Sequence, residues 1–68
     1  MIKMRTTTRL NYRSECSFEA GTIVGVLEEN TIVSASENFS TFACGHHWYR
    51  IKVGRKYYYA VADWLEKV

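Results

Sequence analysis

The sequence predicts a small all-β domain whose short strands close into a barrel. Three observations support this prediction. Segments rich in β-branched and aromatic residues recur along the chain, no window shows the apolar spacing of a helix, and 68 residues are too few for two full sheets. Closing the strands into a barrel also removes exposed strand edges. We therefore treat residues 1–68 as one domain.

The first half of the chain contains three predicted strands. Residues 6–12 are β-branched and aromatic, and residues 22–27 and 31–36 are similarly rich in strand-forming residues. A polar loop, residues 14–21, separates the first two strands. Gly25 stands inside the second strand and indicates a bulge or a close approach of another group to the backbone.

The second half contains the clearest strand pattern. Residues 48–53 alternate strictly, which places Tyr49, Ile51 and Val53 on one face and Trp48 on the other. We therefore expect Trp48 to leave the core. The other predicted elements are a long loop (37–47), a tight hairpin turn (54–55), a return strand (56–60), one helical turn (62–64) and a last short strand (65–68).

Charge and composition argue against several functional classes. The net charge is +2, and an acidic middle follows a basic start, which is not typical of a dedicated nucleic-acid binder. No apolar run approaches the ~18 residues of a membrane span. The sequence contains no paired carboxylates on neighbouring strands, no Ser-His-Asp set and no phosphate loop, so we expect a binding domain without cofactor rather than an enzyme.

The start of the chain bears on localisation. Polar residues follow Lys3 and Arg5, where a signal peptide would have an apolar stretch. We therefore expect synthesis in the reducing cytoplasm of a host and free thiols at Cys16 and Cys44, although an even cysteine count leaves a disulfide open. Met1 is compatible with a gene start, an internal translation start or a cut boundary.

Four segments in order resemble the motifs of the bacterial SH3 (SH3b) family. LNYRS resembles its opening L-N-V-R-S strand, and GTIVGVLEENT resembles V-I-G-x-L-x-x-G-T. WYRIKV resembles W-Y-K-V, and the segment from Tyr59 to Leu65 resembles the closing G-Y-V-x-x-x-Y-L. The resemblance covers about residues 10–65. It implies an SH3-like barrel of five to seven short strands with one short helical turn near residues 62–64.

The resemblance also implies a function. Domains of this family attach phage endolysins, bacteriocins and wall hydrolases to bacterial cell walls. The implied function is a non-catalytic module that binds peptidoglycan or a linked glycopolymer, as the targeting domain of a Gram-positive phage endolysin. Its implied partners are the wall, a hydrolase domain or full-length lysin, and further copies of itself. It would act at the wall after release from the cytoplasm.

Departures from the family pattern lie mostly in loops. Glu15-Cys16 stands where Gly-Pro is usual, Tyr58 replaces a glycine, and residues 37–47 form a longer loop. Asn30 replaces the turn glycine, which is compatible with the turn because Asn also adopts positive φ. Because loops set specificity, the identity of the ligand is not carried over.

The predicted ligand site is a shallow groove between the loop around Cys16 and the loop of residues 37–47. Aromatic rings stack on sugars and peptides, and Arg and Asn recognise carboxylates and amides. Some of these aromatics are equally compatible with filling the barrel, and Arg13 with a surface ion pair to Glu15 or Glu19. The candidate residues are Asn11, Tyr12, Arg13, Trp48, Tyr57, Tyr59 and Trp64.

Two further groups of residues are candidate sites. Phe39 and Phe42 would form an interface for self-association or for a catalytic domain if exposed, and would cap the barrel if folded down. A metal site would have to use Cys16, Cys44, His46 and His47. Adjacent histidines on a strand point to opposite faces. Only one residue separates Cys44 from His46, which is fewer than usually separate two zinc ligands. We therefore expect no metal.

Two other functions stay open at this point. A barrel of this kind is also compatible with an intracellular inhibitor or adaptor that binds a protein or peptide. Nucleic-acid binding is the other alternative, through a basic strip formed by Arg50, Lys52, Arg55 and Lys56. We expect no membrane partner.

Overall fold

The computed structural model of the protein describes residues 1–36 and 38–68. Eight strands account for most of the chain: β1 (Ile2–Thr6), β2 (Leu10–Arg13), β3 (Ile23–Leu27), β4 (Ile32–Ala35), β5 (Thr41–Ala43), β6 (His46–Val53), β7 (Lys56–Val61) and β8 (Leu65–Lys67). Two single turns of 3-10 helix, η1 (Ala20–Thr22) and η2 (Ala62–Trp64), complete the described elements.

The strands form one antiparallel, barrel-like sheet. Their order is β3-β2-β7-β6-β4-β1-β8, and β5 pairs with β6 beside this path. The domain measures 28 × 23 × 23 Å. The predicted all-β fold and the helical turn at residues 62–64 are confirmed, and the described residues form eight strands where five to seven were predicted. No helix in the described ranges is both long and apolar enough to cross a membrane.

The strand predicted at residues 6–12 starts only at Leu10, and β1 (Ile2–Thr6) lies almost wholly before it, where no strand was predicted. β1 therefore accounts for part of the difference in number. It ends at Thr6, whose hydroxyl donates to the Glu28 carbonyl at 2.7 Å. Side chain-to-backbone bonds of threonine compete with strand pairing.

The predicted loop at residues 37–47 also contains strand structure. β5 and the start of β6 pair as a hairpin, with Ala43 opposite His46. The two turn residues, Cys44 and Gly45, have φ of 53° and 79°. Positive φ at both positions is typical of the type I′ turns that match strand twist. Glu37 lies outside the described residues.

The main core lies inside the curled sheet and is aliphatic. Ala35, Ile51 and Ala60 are completely buried at its centre. Tyr12, Tyr49 and Tyr58 pack against it from the periphery. The alternation predicted for residues 48–53 therefore assigns the core face correctly. The full set of buried core residues is Met4, Leu10, Leu27, Val33, Ala35, Ile51, Ala60 and Leu65.

Gly25 has the two features expected of a glycine inside a strand. The register between β2 and β3 shifts beside it, because Tyr12 faces Gly25 while Arg13 faces Ile23. A methyl group at Gly25 would lie 2.5 Å from the Tyr12 hydroxyl oxygen. The absence of a side chain at Gly25 therefore leaves room for the Tyr12 ring over β3.

Candidate ligand-binding cleft

A cleft of about 400 Å³ lies among β2, the end of β7, η2 and the loop that carries Phe18. Its floor is formed by β2 and by Val61 at the end of β7, and its walls are aromatic. Such a combination of apolar walls with a few polar groups is typical of ligand sites. The lining residues are Thr8, Arg9, Leu10, Asn11, Arg13, Phe18, Val61 and Trp64.

Phe18 forms one wall of the cleft. Its ring lies 5.2 Å from the Trp48 ring and contacts His46 edge-on at 5.5 Å between centroids. The Arg13 guanidinium carbon lies 5.3 Å from the centre of the same ring, a cation–π distance. These contacts hold the loop of residues 14–19 over the sheet.

Arg13 and Thr22 hold the loop of residues 14–19 in place through hydrogen bonds. Arg13 Nη1 donates to the Glu19 carbonyl at 3.1 Å and to Thr22 Oγ1 at 3.2 Å. Thr22 Oγ1 lies 2.6 Å from the Glu19 carbonyl and 3.2 Å from the Ser17 carbonyl, and the Ser14 amide donates to the Thr22 carbonyl at 2.8 Å. Arg13 is thus a buried structural residue that bonds the Glu19 backbone.

Trp64 forms the opposite wall. It belongs to η2, and its indole stacks on the His46 ring with 6.1 Å between centroids. His46 Nδ1 lies 2.8 Å from Asp63 Oδ2, where its N–H donates to the carboxylate. Because Asp63 and Trp64 are neighbours in η2, this bond fixes the position of the wall. Trp64 stays 38% exposed.

The polar groups of the cleft are Asn11 and Arg9. Asn11 is half-buried, and in the described part of the chain its side-chain amide makes no hydrogen bond with protein. The Arg9 guanidinium lies 3.3 Å from a Glu28 carboxylate oxygen, and both side chains are exposed. Such a pair is worth little in water, so Arg9 can exchange this partner for a ligand at small cost.

Trp48 is not a groove residue, contrary to the sequence-based expectation. It does lie on the face opposite the main core, but it is completely buried there. Phe18 covers its ring, and its indole N–H donates to the Ala43 carbonyl at 2.8 Å. Alternation predicts the face of a residue correctly but does not show that a loop covers that face.

Tyr12 also lies outside the cleft. Its ring turns inward, 5.1 Å from the Tyr58 ring, and occupies the space above Gly25. Its neighbours Leu10, Asn11 and Arg13 all line the cleft; Leu10 and Arg13 are buried, and Asn11 is half-buried.

Tyr57 and Tyr59 belong to a second surface on the outer face of the β6–β7 hairpin. The Arg50 guanidinium carbon lies 4.9 Å from the Tyr57 ring centre and 5.7 Å from that of Phe39. Phe39 in turn packs against Tyr59 at 5.4 Å. These residues do not line the cleft, so the predicted groove combines two separate places.

The cleft shares only one side with the predicted groove. The loop around Cys16 does supply a wall, through Phe18. The second wall comes from η2, and no described residue of the loop at 37–47 lines the cleft. Phe18 and Arg9 were missed by sequence reasoning. The only available signal was that Phe18 is the sole large apolar residue in the polar segment 14–21.

The two predicted interface residues have different environments. Phe39 is half-buried against Tyr59 and beneath Arg50, so it belongs to the hairpin surface. Phe42 is exposed on β5 and contacts the His47 ring at 4.9 Å.

Both cysteines are free thiols. Burial raises the pKa of the Cys16 thiol, and the neighbouring Cys44 adds to this rise. His46 and His47 point to different partners, Asp63 and Phe42, as expected for neighbours on a strand. Within the described ranges, no three His, Cys, Asp or Glu residues form a group that could hold a metal ion.

Comparison with known proteins identified no relative of this chain. No protein-family model, curated protein or solved structure matches the chain.

Proposed function

We propose that this chain is a non-catalytic binding module for bacterial cell wall, as the targeting part of a Gram-positive phage lysin, and that it binds its ligand in the Phe18–Trp64 cleft. The observation that carries the proposal is the pairing of two aromatic walls with the Asn11 amide and the Arg9 guanidinium in about 400 Å³. The SH3b-like motifs of the sequence point to the same class of ligand.

The chemistry of the cleft fits a short stretch of peptidoglycan. Trp64 and Phe18 offer faces on which a sugar ring or an extended peptide packs. Asn11 offers a paired donor and acceptor for an amide, and Arg9 offers a fork of donors for a stem-peptide carboxylate. Arg13 supports the floor, because its described hydrogen bonds are to the chain itself.

The test is pelleting of the purified chain with purified cell walls from several Gram-positive species. We expect some walls, but not others, to deplete the supernatant. Trp64→Ala should weaken this binding by roughly tenfold or more, because a central aromatic contact is worth about 1.4 kcal/mol or more. Asn11→Ala should weaken it as well.

Tyr57→Ala is the matched control. Tyr57 is 49% exposed, against 38% for Trp64, but it lies on the hairpin surface outside the cleft. The control should bind walls within about twofold of the wild type, a difference of less than ~0.5 kcal/mol. Depletion by no wall contradicts the proposed function, and equal losses in the two variants contradict the proposed site.

A second candidate function is supported by the hairpin surface. The segment from His46 to Val61 carries four basic side chains and no acidic one, interleaved with Tyr57 and Tyr59. Bases stack on exposed aromatics while basic side chains bind the backbone phosphates. If nucleic acid is the ligand, an oligonucleotide should bind with strong salt dependence, and Arg50→Glu with Lys52→Glu should abolish this binding. Binding of DNA without binding of any wall would favour this function over the first.

A further inference from the structure

The two cysteines of the chain lie in two different loops that pack together. Cys16 is half-buried in the loop of residues 14–19, and Cys44 is exposed in the turn between β5 and β6. Phe18, in the first loop, contacts His46, at the end of that turn, with 5.5 Å between the ring centroids. Each of these two rings is two residues away from its cysteine. The contact therefore holds the two cysteine-bearing segments side by side.

A second contact holds the same two segments together. The Phe18 ring packs on the Trp48 ring at 5.2 Å between centroids. The Trp48 indole N–H donates to the carbonyl of Ala43, the residue before Cys44, at 2.8 Å. Because Trp48 is completely buried, the loop and the turn meet at a packed part of the fold.

The two thiols are also close enough to affect each other's ionisation. Burial raises the pKa of the Cys16 thiol most, and a negative charge on Cys44 raises it further. Salt and water largely screen such repulsion beyond about 10 Å, so the two sulfur atoms lie in the same neighbourhood. In the part of the chain that the structure describes, neither thiol belongs to a group of residues that could hold a metal ion.

The backbone of Cys44 is unusual for a cysteine. Its φ is 53°, and a type I′ turn favours Asn, Asp or Gly at this position. A side chain in the left-handed region costs free energy, and such outliers cluster where the side chain has a function. A use for the Cys44 thiol would explain a cysteine at this position.

We propose that Cys16 and Cys44 form an intramolecular disulfide under oxidising conditions, which ties the loop of residues 14–19 to the β5–β6 turn. The Cys44 thiolate attacks a low-molecular-weight disulfide and releases one half of it as a thiolate. The Cys16 thiolate then attacks the Cys44 sulfur and releases the other half. The two cysteines are oxidised, the small disulfide is reduced to two thiols, and the two cysteine protons pass to these thiols.

This disulfide would fix the loop that carries Phe18, and with it one wall of the cleft. A reducing cytoplasm keeps such a pair as thiols, whereas an oxidising exterior favours the disulfide. The inference goes beyond the proposed function and does not depend on the identity of the ligand.

The test is equilibration of the chain in mixtures of oxidised and reduced glutathione, followed by acid quenching and mass spectrometry. The product should be lighter than the reduced chain by two hydrogen atoms, and its digest should contain a peptide pair that joins Cys16 to Cys44. The folded chain should form this disulfide at least about tenfold more readily than the chain unfolded in urea, because the fold raises the effective concentration of one thiol at the other.

The melting temperature gives an independent measurement of the same effect. By linkage, the factor by which folding favours the disulfide is the factor by which the disulfide favours folding. A tenfold factor should raise the Tm of the oxidised chain by about 6 °C or more over that of the reduced chain.

Cys44→Ser combined with His47→Cys is the matched control. It keeps Cys16 and places an exposed cysteine on the same hairpin, but on the side that contacts Phe42. Unfolded, this variant should close its disulfide as readily as the wild type. Folded, it should lose the tenfold advantage, and circular dichroism with a cooperative melt checks that it folds.

Three results would each overturn the proposal. The first is a folded wild type that forms only glutathione adducts. The second is a disulfide that closes equally readily in the folded and the unfolded chain. The third is a folded control variant with the same advantage as the wild type.

Discussion

At the residue scale, Phe18 connects the cleft to the rest of the fold. It covers Trp48, contacts the Arg13 guanidinium and forms one wall of the cleft. Sequence periodicity predicts that Asn11 and Arg13 share a face, and both do line the cleft. It does not predict the path of the loop that carries Phe18, because that path follows from hydrogen bonds of Thr22 and Arg13 with the loop backbone.

Gly25 allows a prediction about packing. Gly25→Ala should destabilise the fold by about 1–3 kcal/mol, because the added methyl group overpacks the contact with the Tyr12 ring. Gly21→Ala is the control, since nothing lies within 4 Å of a methyl group at that position. Urea denaturation measures both variants, and equal stabilities would show that the Tyr12 ring moves aside freely.

Cys16 allows a prediction about thiol reactivity. Its raised pKa keeps the thiol protonated at pH values where an ordinary cysteine is already partly thiolate, and the thiolate is the reactive form. Alkylation of Cys16 should therefore need a higher pH than alkylation of a cysteine in an unfolded peptide. Cys44→Ser should shift the pH profile of Cys16 down, but by less than unfolding does, because burial is the larger cause.

Mass spectrometry of the alkylated protein, digested after labelling, follows each cysteine separately. The unfolded chain in urea provides the reference profile. A Cys16 profile identical in the folded and unfolded chain would contradict this prediction.

At the element scale, the elements that follow the Gly54-Arg55 turn were the most predictable. The boundaries of β7 and η2 lie within one residue of those predicted, because the alternation of residues 48–53 and the turn after them fix where the return strand starts. The β5 hairpin is local, but its Cys44-Gly45 turn lacks the Asn-Gly or Asp-Gly pair that indicates a type I′ turn. The break at residues 7–9 was not predictable, since it depends on partners distant in sequence. Thr6, for example, bonds Glu28.

The loop from Ser14 to Thr22 allows a prediction about how an element supports the site. Thr22→Val keeps the shape of the buried side chain but removes the hydroxyl that bonds Arg13 and the loop carbonyls. We expect a loss of about 1–3 kcal/mol in stability, because buried polar groups lose their partner. Wall binding should fall as well, since Phe18 is held less firmly.

Thr31→Val is the control for this loop. The Thr31 hydroxyl bonds the Glu28 carbonyl at 2.6 Å, at an exposed turn outside the cleft. It should reduce stability by less and leave wall pelleting unchanged in the folded protein. A Thr22 variant that binds walls like the wild type would show that the loop keeps its position without this hydroxyl.

At the scale of the whole molecule, folding redistributes charge that the sequence arranges in blocks. The basic start of the chain pairs with distant acids: Arg5 contacts Glu66, and Arg9 contacts Glu28. In the described residues, no carboxylate pairs with Arg50, Lys52, Arg55 or Lys56. Four of the positive charges without a carboxylate partner in the described residues therefore lie on the β6–β7 hairpin.

The topology also predicts where the molecule resists opening. β6 and β7 occupy the middle of the sheet and contain the fully buried Ile51 and Ala60. Amide hydrogen exchange should therefore be slowest in these two strands and faster in β5 and β8. Uniform protection in all strands, measured by NMR, would indicate that the whole sheet opens only as one unit.

The contrast between the two tryptophans has a practical consequence for studying this protein. One indole is sealed beneath Phe18, and the other forms a wall of the cleft. Indole fluorescence depends on contact with water, so the two report on different events. Iodide in solution should quench Trp64 selectively, and a bound ligand should restore that emission, while the emission of Trp48 changes only when the domain unfolds. Tryptophan emission measured with and without iodide thus follows ligand binding and unfolding without a covalent label.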